Sequence, residues 1–89
     1  MGEITLDAVM GCLRAENPRS TEQDIRLYAA FFLDFREAEA NIREHGALII
    51  HPRTAAPIEN PYGKIKAQAS ASLRRIRMKT ETLWRQFGP

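Results

Sequence analysis

The sequence predicts a mainly α protein: a long antiparallel helical hairpin with a short β-hairpin insert and short terminal helices, assembling as an oligomer. Two segments, residues 20–46 and 61–78, carry apolar side chains at spacings of three, four and seven, which is the period of an amphipathic helix. The sequence GALIIHPRTAAPIENPY (46–62) lies between them. It combines an apolar run, a proline-containing turn and a short return, as a β-hairpin does.

The N-terminal part, residues 1–19, is predicted to be a short helix followed by a linker. An apolar stripe over residues 4–14 indicates the helix, and Asn17-Pro18 is a turn signal that separates it from the next element. The first four residues lack the basic region of a secretory signal peptide, so we expect no leader.

The second helix is predicted to be long, covering residues 20–46. Ser20 and Gln23 have the spacing of a capping box, which places the start near Ser20 or Thr21. Gly46 ends the helix, because glycine tolerates the left-handed conformation found after many helices. About 25 residues correspond to roughly 37 Å of helix, longer than the ~30 Å diameter of a globule of this size. We therefore expect an elongated molecule.

The β-hairpin is predicted over residues 47–59. Ala47–Ile50 forms the first strand, a turn follows, and Pro57-Ile58 forms the return. The basic C-terminal helices are predicted over residues 60–89, starting with Asn60 as the N-cap and Pro61 at the first helical position.

The third helix is predicted to run from Pro61 towards Met78. Lys64 and Arg75 lie about 20° apart around such a helix, and so do Lys66 and Arg77, which predicts two basic rows beside the apolar stripe. Thr80 or Thr82 is expected to cap a final short helix that ends at Gly88-Pro89.

The long helix has more apolar surface than one partner helix would cover, because two apolar stripes lie side by side on it. In a chain of 89 residues, which forms one domain (1–89), surplus apolar surface favours oligomerisation. The predicted oligomer interface consists of Phe31, Phe32, Phe35, Ile42 and Leu73.

Charge is divided unevenly along the chain. Residues 1–60 have six basic and ten acidic side chains, and residues 61–89 have seven basic and one acidic, so the net charge of +2 conceals a strongly basic C-terminal part. This division predicts a polyanionic partner or head-to-tail self-association, with a merely solvated basic face as the alternative. The candidate DNA-binding residues are Lys64, Lys66, Arg74, Arg75, Arg77 and Lys79.

Residues that would carry catalysis are scarce. Cys12 is the only cysteine, which excludes a disulfide within the chain and fits a reducing compartment. His45 and His51 lack cysteine or carboxylate neighbours at metal-ligand spacings, and no phosphate-binding GxxxxGK[ST] loop is present. No apolar run approaches the ~20 residues of a membrane span. We expect a non-enzymatic protein without cofactor, metal or membrane association, located in the cytoplasm.

Residues 28–76 resemble the small subunit of tailed-phage terminases. The shared features are the end of a long helix at Ile42–Gly46, a short hairpin through Pro52–Thr54, and Asn60-Pro61-Tyr62 before a helix rich in small and basic residues. The resemblance implies a DNA-packaging component without catalytic residues, acting in the host bacterial cytoplasm. It also implies a ring-like homo-oligomer that binds double-stranded viral DNA and recruits the large terminase subunit, which carries the ATPase and nuclease.

Both ends of the chain differ from the family pattern. Many members have an N-terminal helix-turn-helix, whereas this chain has one short acidic helix, so non-specific phosphate contact by the third helix is the expected way of binding DNA. The C-terminal apolar residues Leu83, Trp84 and Phe87 are the candidate docking patch. Two alternatives remain: a small dimeric helical DNA-binding regulator, and a structural protein–protein interaction module with a basic face.

Overall fold

The structure, a computed structural model, describes residues 4–88. Parts of the predictions that fall on residues 1–3 and on Pro89 lie outside the described residues. The elements are α1 (Leu6–Glu16), α2 (Glu22–His45), β1 (Leu48–Ile50), β2 (Pro57–Glu59), α3 (Tyr62–Arg75) and α4 (Glu81–Phe87). The predicted mainly helical fold with a small antiparallel sheet is confirmed. The molecule measures 51 × 30 × 17 Å, so the predicted elongated shape is confirmed as well.

The helix starts are set by threonine caps. Thr5 Oγ1 accepts a hydrogen bond from the Ala8 backbone N–H, and Thr21 Oγ1 accepts one from Asp24, both at 3.1 Å. The predicted Ser20 capping box is therefore wrong by one residue. The Ser20 backbone N–H instead donates to the Asn17 carbonyl, which commits Ser20 to the turn before α2.

One hydrophobic core lies where α1, the first half of α2, the end of α3 and α4 meet; we call this part the helical end. Its largest fully buried side chains are Phe32, Leu13, Ile25, Leu83 and Val9. The Trp84 ring meets Phe32 edge to face at 4.7 Å, and its Nε1–H donates to the Tyr28 hydroxyl at 3.0 Å. Trp84 thus packs with its polar atom satisfied, as buried tryptophans usually do.

The remainder of the molecule, residues 36–70, projects from the helical end as an arm made of two antiparallel helix segments and the β-hairpin. Its buried helix residues are small, Ala38 and Ala69, which lets α2 and α3 approach closely. Beside them, Lys66 Nζ lies 2.5 Å from a Glu39 carboxylate oxygen, and Arg43 lies 3.5 Å from the other oxygen. The arm is therefore held by close backbone packing and polar contacts rather than by large apolar side chains.

The hairpin pairs Leu48 with Glu59, Ile49 with Ile58 and Ile50 with Pro57. Gly46 leaves α2 with φ +89° and ψ 168°, so it has the positive φ expected for glycine but not the left-handed helical ψ that was predicted. A buried asparagine, Asn60, closes the base of the hairpin. Its side-chain amide donates to Asn41 Oδ1 at 2.9 Å and to the Gly46 carbonyl at 3.0 Å.

Asn60 also starts α3, as the sequence predicted. Its Oδ1 accepts a hydrogen bond from the Tyr62 backbone N–H at 3.0 Å, and Pro61 has helical dihedral angles. The predicted end of α3 near Met78 is wrong, because the helix stops at Arg75 and Ile76 is already extended. Residues 76–80 run as a linker to α4, which begins at Glu81.

Candidate nucleic-acid interface

Four exposed cations are concentrated in six residues at the end of α3 and in the linker; we call residues 74–79 the basic segment. Arg74 and Arg75 belong to the last helical turn, and Arg77 and Lys79 to the linker. Burial alternates along the linker: Ile76 and Met78 pack against the core, whereas Arg77 and Lys79 are exposed. Arg77 and Lys79 therefore flank the half-buried Met78 and project away from the core, in a linker that starts from the extended Ile76.

The linker is held in this extended form by Asn17, a buried residue after α1. The Asn17 side chain donates to the Lys79 carbonyl at 2.7 Å and accepts from the Lys79 backbone N–H at 2.7 Å. The same amide nitrogen donates to the Leu13 carbonyl at 3.0 Å. Because α3 ends at Arg75, Arg77 does not belong to the helix, and the predicted basic row of Lys66 and Arg77 does not exist.

Carboxylates around this end of the molecule have other partners. Glu22 receives hydrogen bonds from the Arg14 guanidinium, which lower the pKa of Glu22 below its ordinary value. Glu81 pairs with Arg85 at 2.9 Å, and Glu16 accepts from the Thr82 backbone N–H at 2.9 Å. Among residues 4–88, no carboxylate forms an ion pair with a cation of the basic segment. Arg74 does contact Ser70 of its own helix, at 3.3 Å.

The two lysines predicted to bind DNA with this segment lie elsewhere. Lys64 is exposed on the outer face of α3, about 16 Å along the helix from Arg75. Lys66 is occupied by its ion pair with Glu39 and lies over the Phe35 ring, 5.8 Å from the centroid. The structure thus brings four of the six predicted residues together, leaves Lys64 apart and engages Lys66 inside the arm.

The predicted oligomer interface is largely used within the chain. Phe32 is fully buried and Leu73 is 8% exposed in the core, so neither presents a surface to another subunit. Phe31 and Phe35 are half-buried against the same core, and Ile42 is half-buried in the arm. Phe32 and Phe35 face inward because Trp84 of α4, a helix whose position the sequence did not reveal, packs against both rings.

The predicted docking patch is also part of the core. Leu83 is fully buried. Trp84 is packed edge to face between Phe32 and Phe35, and Phe87 is half-buried against the core. As α4 is amphipathic and folds back on its own chain, this patch does not form an exposed apolar surface.

The exposed apolar side chains lie mainly on the arm. Leu48 and Ile50 are 63% and 65% exposed on one face of the hairpin, and Ile58 and Ile65 are more than one-third exposed. A groove of about 400 Å³ lies at the base of the hairpin. Its lining residues are Ile42, Ala47, Leu48, Glu59, Asn60, Gly63, Lys64 and Ala67. The exposed apolar surface therefore lies mainly at the hairpin, whereas the sequence predicted it on the long helix.

The two histidines and the cysteine have ordinary surroundings. His51 Nδ1 accepts hydrogen bonds from the Arg53 and Thr54 backbone N–H groups and shapes the hairpin turn. Cys12 lines a groove between α1 and α4, where burial and the nearby Glu16 carboxylate raise the pKa of its thiol. Residues 4–88 contain no cluster of three or more His, Cys, Asp or Glu side chains placed to hold a metal ion.

None of the helices in the described part of the chain is long and apolar enough to cross a membrane. Comparison of the sequence with protein-family models and with curated proteins, and of the structure with solved structures, gave no match.

Proposed function

We propose that the protein is a non-enzymatic DNA-packaging component of the terminase small-subunit kind, which binds double-stranded DNA, self-associates and recruits a large ATPase-nuclease subunit. DNA binding is proposed because of the basic segment, which has four exposed cations within six residues. None of these cations forms an ion pair with a carboxylate of residues 4–88. The packaging role rests on the sequence resemblance over residues 28–76.

DNA is bound through phosphates rather than bases. Arg77 and Lys79 are exposed cations, and phosphate oxygens are the DNA groups that Arg and Lys side chains contact most often. Contacts of this kind follow the backbone and carry no sequence information. The protein therefore binds DNA of any sequence, with an affinity that depends strongly on salt.

Self-association uses the arm. Leu48 and Ile50 are more exposed than any other large apolar side chain of residues 4–88, and they lie at the end of the molecule opposite the α1–α4 contact. Burying them against another subunit would remove apolar surface from water, which favours association. Recruitment of the large subunit is proposed from the resemblance alone. Leu83 is fully buried, so it does not contribute to the docking surface.

The DNA-binding proposal is tested by fluorescence anisotropy of a labelled duplex of arbitrary sequence at increasing NaCl concentrations. If each of the four cations contacts one phosphate, the plot of log Kobs against log salt has a slope of about −3.6 per protomer. Charge reversal in the R75E/R77E double variant should abolish binding. R77E and R53E form a matched pair of single charge reversals: R77E should weaken binding, and R53E, at the exposed hairpin turn, should not.

The alternatives give different results in the same experiment. A structural module whose basic face binds an acidic protein would show no steep salt dependence with DNA. A dimeric regulator would bind one sequence far more tightly than others. Light scattering completes the test, since the packaging proposal requires a particle larger than a dimer and a monomer at micromolar concentration would rule out that assembly.

A further inference from the structure

We infer that Arg19, in the turn between α1 and α2, is a fifth phosphate-contacting residue, so that the DNA interface is built from two segments distant in sequence. The inference rests on the proposed DNA binding and adds a residue and a geometry to it. The sequence had indicated residues 17–18 only as a turn, and it offered no sign that this turn would lie beside the basic segment.

The Asn17 side chain joins the two segments. Asn17 is 9% exposed, and its amide forms hydrogen bonds to both backbone groups of Lys79, a residue 62 positions further along the chain. These two bonds fix the start of the α1–α2 turn against the outer part of the linker. Asn17 is thus a positioning residue, and the side chains on either side of it are brought to one surface.

Arg19 lies within this turn. The turn is closed by a hydrogen bond from the Ser20 backbone N–H to the Asn17 carbonyl at 3.1 Å. In a turn of this size the first and last Cα atoms lie within about 7 Å of each other, which keeps Arg19 close to Asn17 and hence to Lys79. The Arg19 side chain is exposed, as are those of Arg77 and Lys79.

The charges around Arg19 leave its guanidinium available. Arg19 forms no ion pair with a carboxylate of residues 4–88. The two nearest acidic residues in sequence, Glu16 and Glu22, accept hydrogen bonds from the Thr82 backbone N–H and from Arg14. Asp24 is an exposed carboxylate in the first turn of α2, but it is not paired with Arg19 either. Arg19 is thus an exposed cation without an ion pair among residues 4–88, in the turn that Asn17 joins to Lys79, and a phosphate backbone would neutralise it together with Lys79.

The first test compares R19Q with R53Q in the salt titration of DNA binding. Both variants remove one exposed positive charge, so neither should disturb folding. R19Q should reduce the magnitude of the slope of log Kobs against log salt by about 0.9, the contribution of one phosphate contact. R53Q should leave the slope unchanged, and R77Q should lower it as R19Q does.

If R77Q lowers the slope and R19Q does not, the Arg19 inference is overturned while the DNA-binding proposal stands. If the unmodified protein binds DNA without salt dependence, the DNA-binding proposal itself fails, and the inference fails with it.

The second test asks whether Arg19 and Lys79 are neighbours. In a K79E background the new carboxylate would pair with Arg19, so R19Q should change the slope by much less than about 0.9. In a K64E background, where the reversed charge lies on the arm, R19Q should keep its full effect. Equal effects of R19Q in the two backgrounds would overturn the proposed geometry.

Discussion

The helical end and the arm are built from the same two helices but are held together by different forces. At the helical end, α2 and α3 are covered by α1 and α4, and the contacts are between large apolar side chains such as Phe32 and Leu83. In the arm, the same helices meet through Ala38 and Ala69, the Glu39–Lys66 ion pair and the Asn60 hydrogen bonds.

Because of this difference, we expect the two parts of the molecule to differ in local stability. Burial of large apolar groups provides most of the free energy of folding, whereas exposed ion pairs contribute little. We therefore expect the helical end to unfold only globally and the arm to open locally at lower free energy. The exposed hairpin surface belongs to the less stable part, and the basic segment to the more stable part.

The largest expected effect is that of F32A. Truncation of a fully buried phenylalanine leaves a cavity and should lower the free energy of unfolding by about 3–5 kcal/mol. The loss should appear in urea denaturation followed by Trp84 fluorescence, since the two rings are in contact. F35A is the matched control on the same helix, and its effect should be smaller because Phe35 is only half-buried. Equal losses would mean that the core is not centred on Phe32.

N60A should have the next largest effect, confined to the arm. It removes three side-chain hydrogen bonds and leaves part-buried partners unsatisfied, at a cost of about 1–3 kcal/mol. Hydrogen exchange should become faster for amides of residues 47–60 and stay unchanged in α1. If exchange accelerates equally in both regions, the arm and the helical end form one cooperative unit.

A smaller effect is expected from E39Q, and it should depend on pH. The hydrogen bond from Lys66, followed by weaker contributions that include Arg43, lowers the pKa of Glu39 in the folded protein. The stabilisation is thus fully present above the unfolded pKa, about 4.3, and is lost as pH falls through the lower folded value. Thermal unfolding should show that E39Q weakens this acid dependence. E59Q changes a hairpin carboxylate that has no ion pair among residues 4–88, and it should leave the acid dependence unchanged.

The smallest effect on folding is expected from the exposed hairpin residues. The double variant L48T/I50T should change the free energy of unfolding by no more than about 0.5 kcal/mol per site, as for other surface substitutions. Its particle mass in light scattering should nevertheless fall if this face joins subunits. Deletion of residues 52–56 should likewise alter the oligomer while circular dichroism shows the helices retained. An unchanged mass in both variants would remove the hairpin from the proposed interface.

The sequence predicted the elements well, because their determinants are local. The apolar period indicated α2 and α3, and Gly46 and Asn60 marked the limits of the hairpin. The basic residues at positions 74–79 were also recognised from sequence alone. These are features that a segment of chain specifies without reference to the rest of the molecule.

The sequence-based predictions failed where the structure depends on contacts between residues that are distant in sequence. The position of the linker after α3 was not predicted, because it involves Asn17, whose side chain binds the Lys79 backbone from 62 positions away. Phe32 and Trp84 are in contact because α4 folds back over α2. The apolar stripe that suggested a subunit interface therefore belongs to the hydrophobic core. The ion pair of Lys66 was not predicted either, because its partner Glu39 lies on another helix.

The Asn17–Lys79 contact also determines the order in which the protein can fold. It joins residues 62 positions apart, and the bond between Glu16 and Thr82 spans 66. Such contacts are slow to form, because the chain between them must lose conformational entropy before the contact is made. The hairpin at residues 47–60 closes a much shorter loop and is able to form first. We therefore expect the hairpin to form before α4 docks against α1, although the helical end is the more stable part.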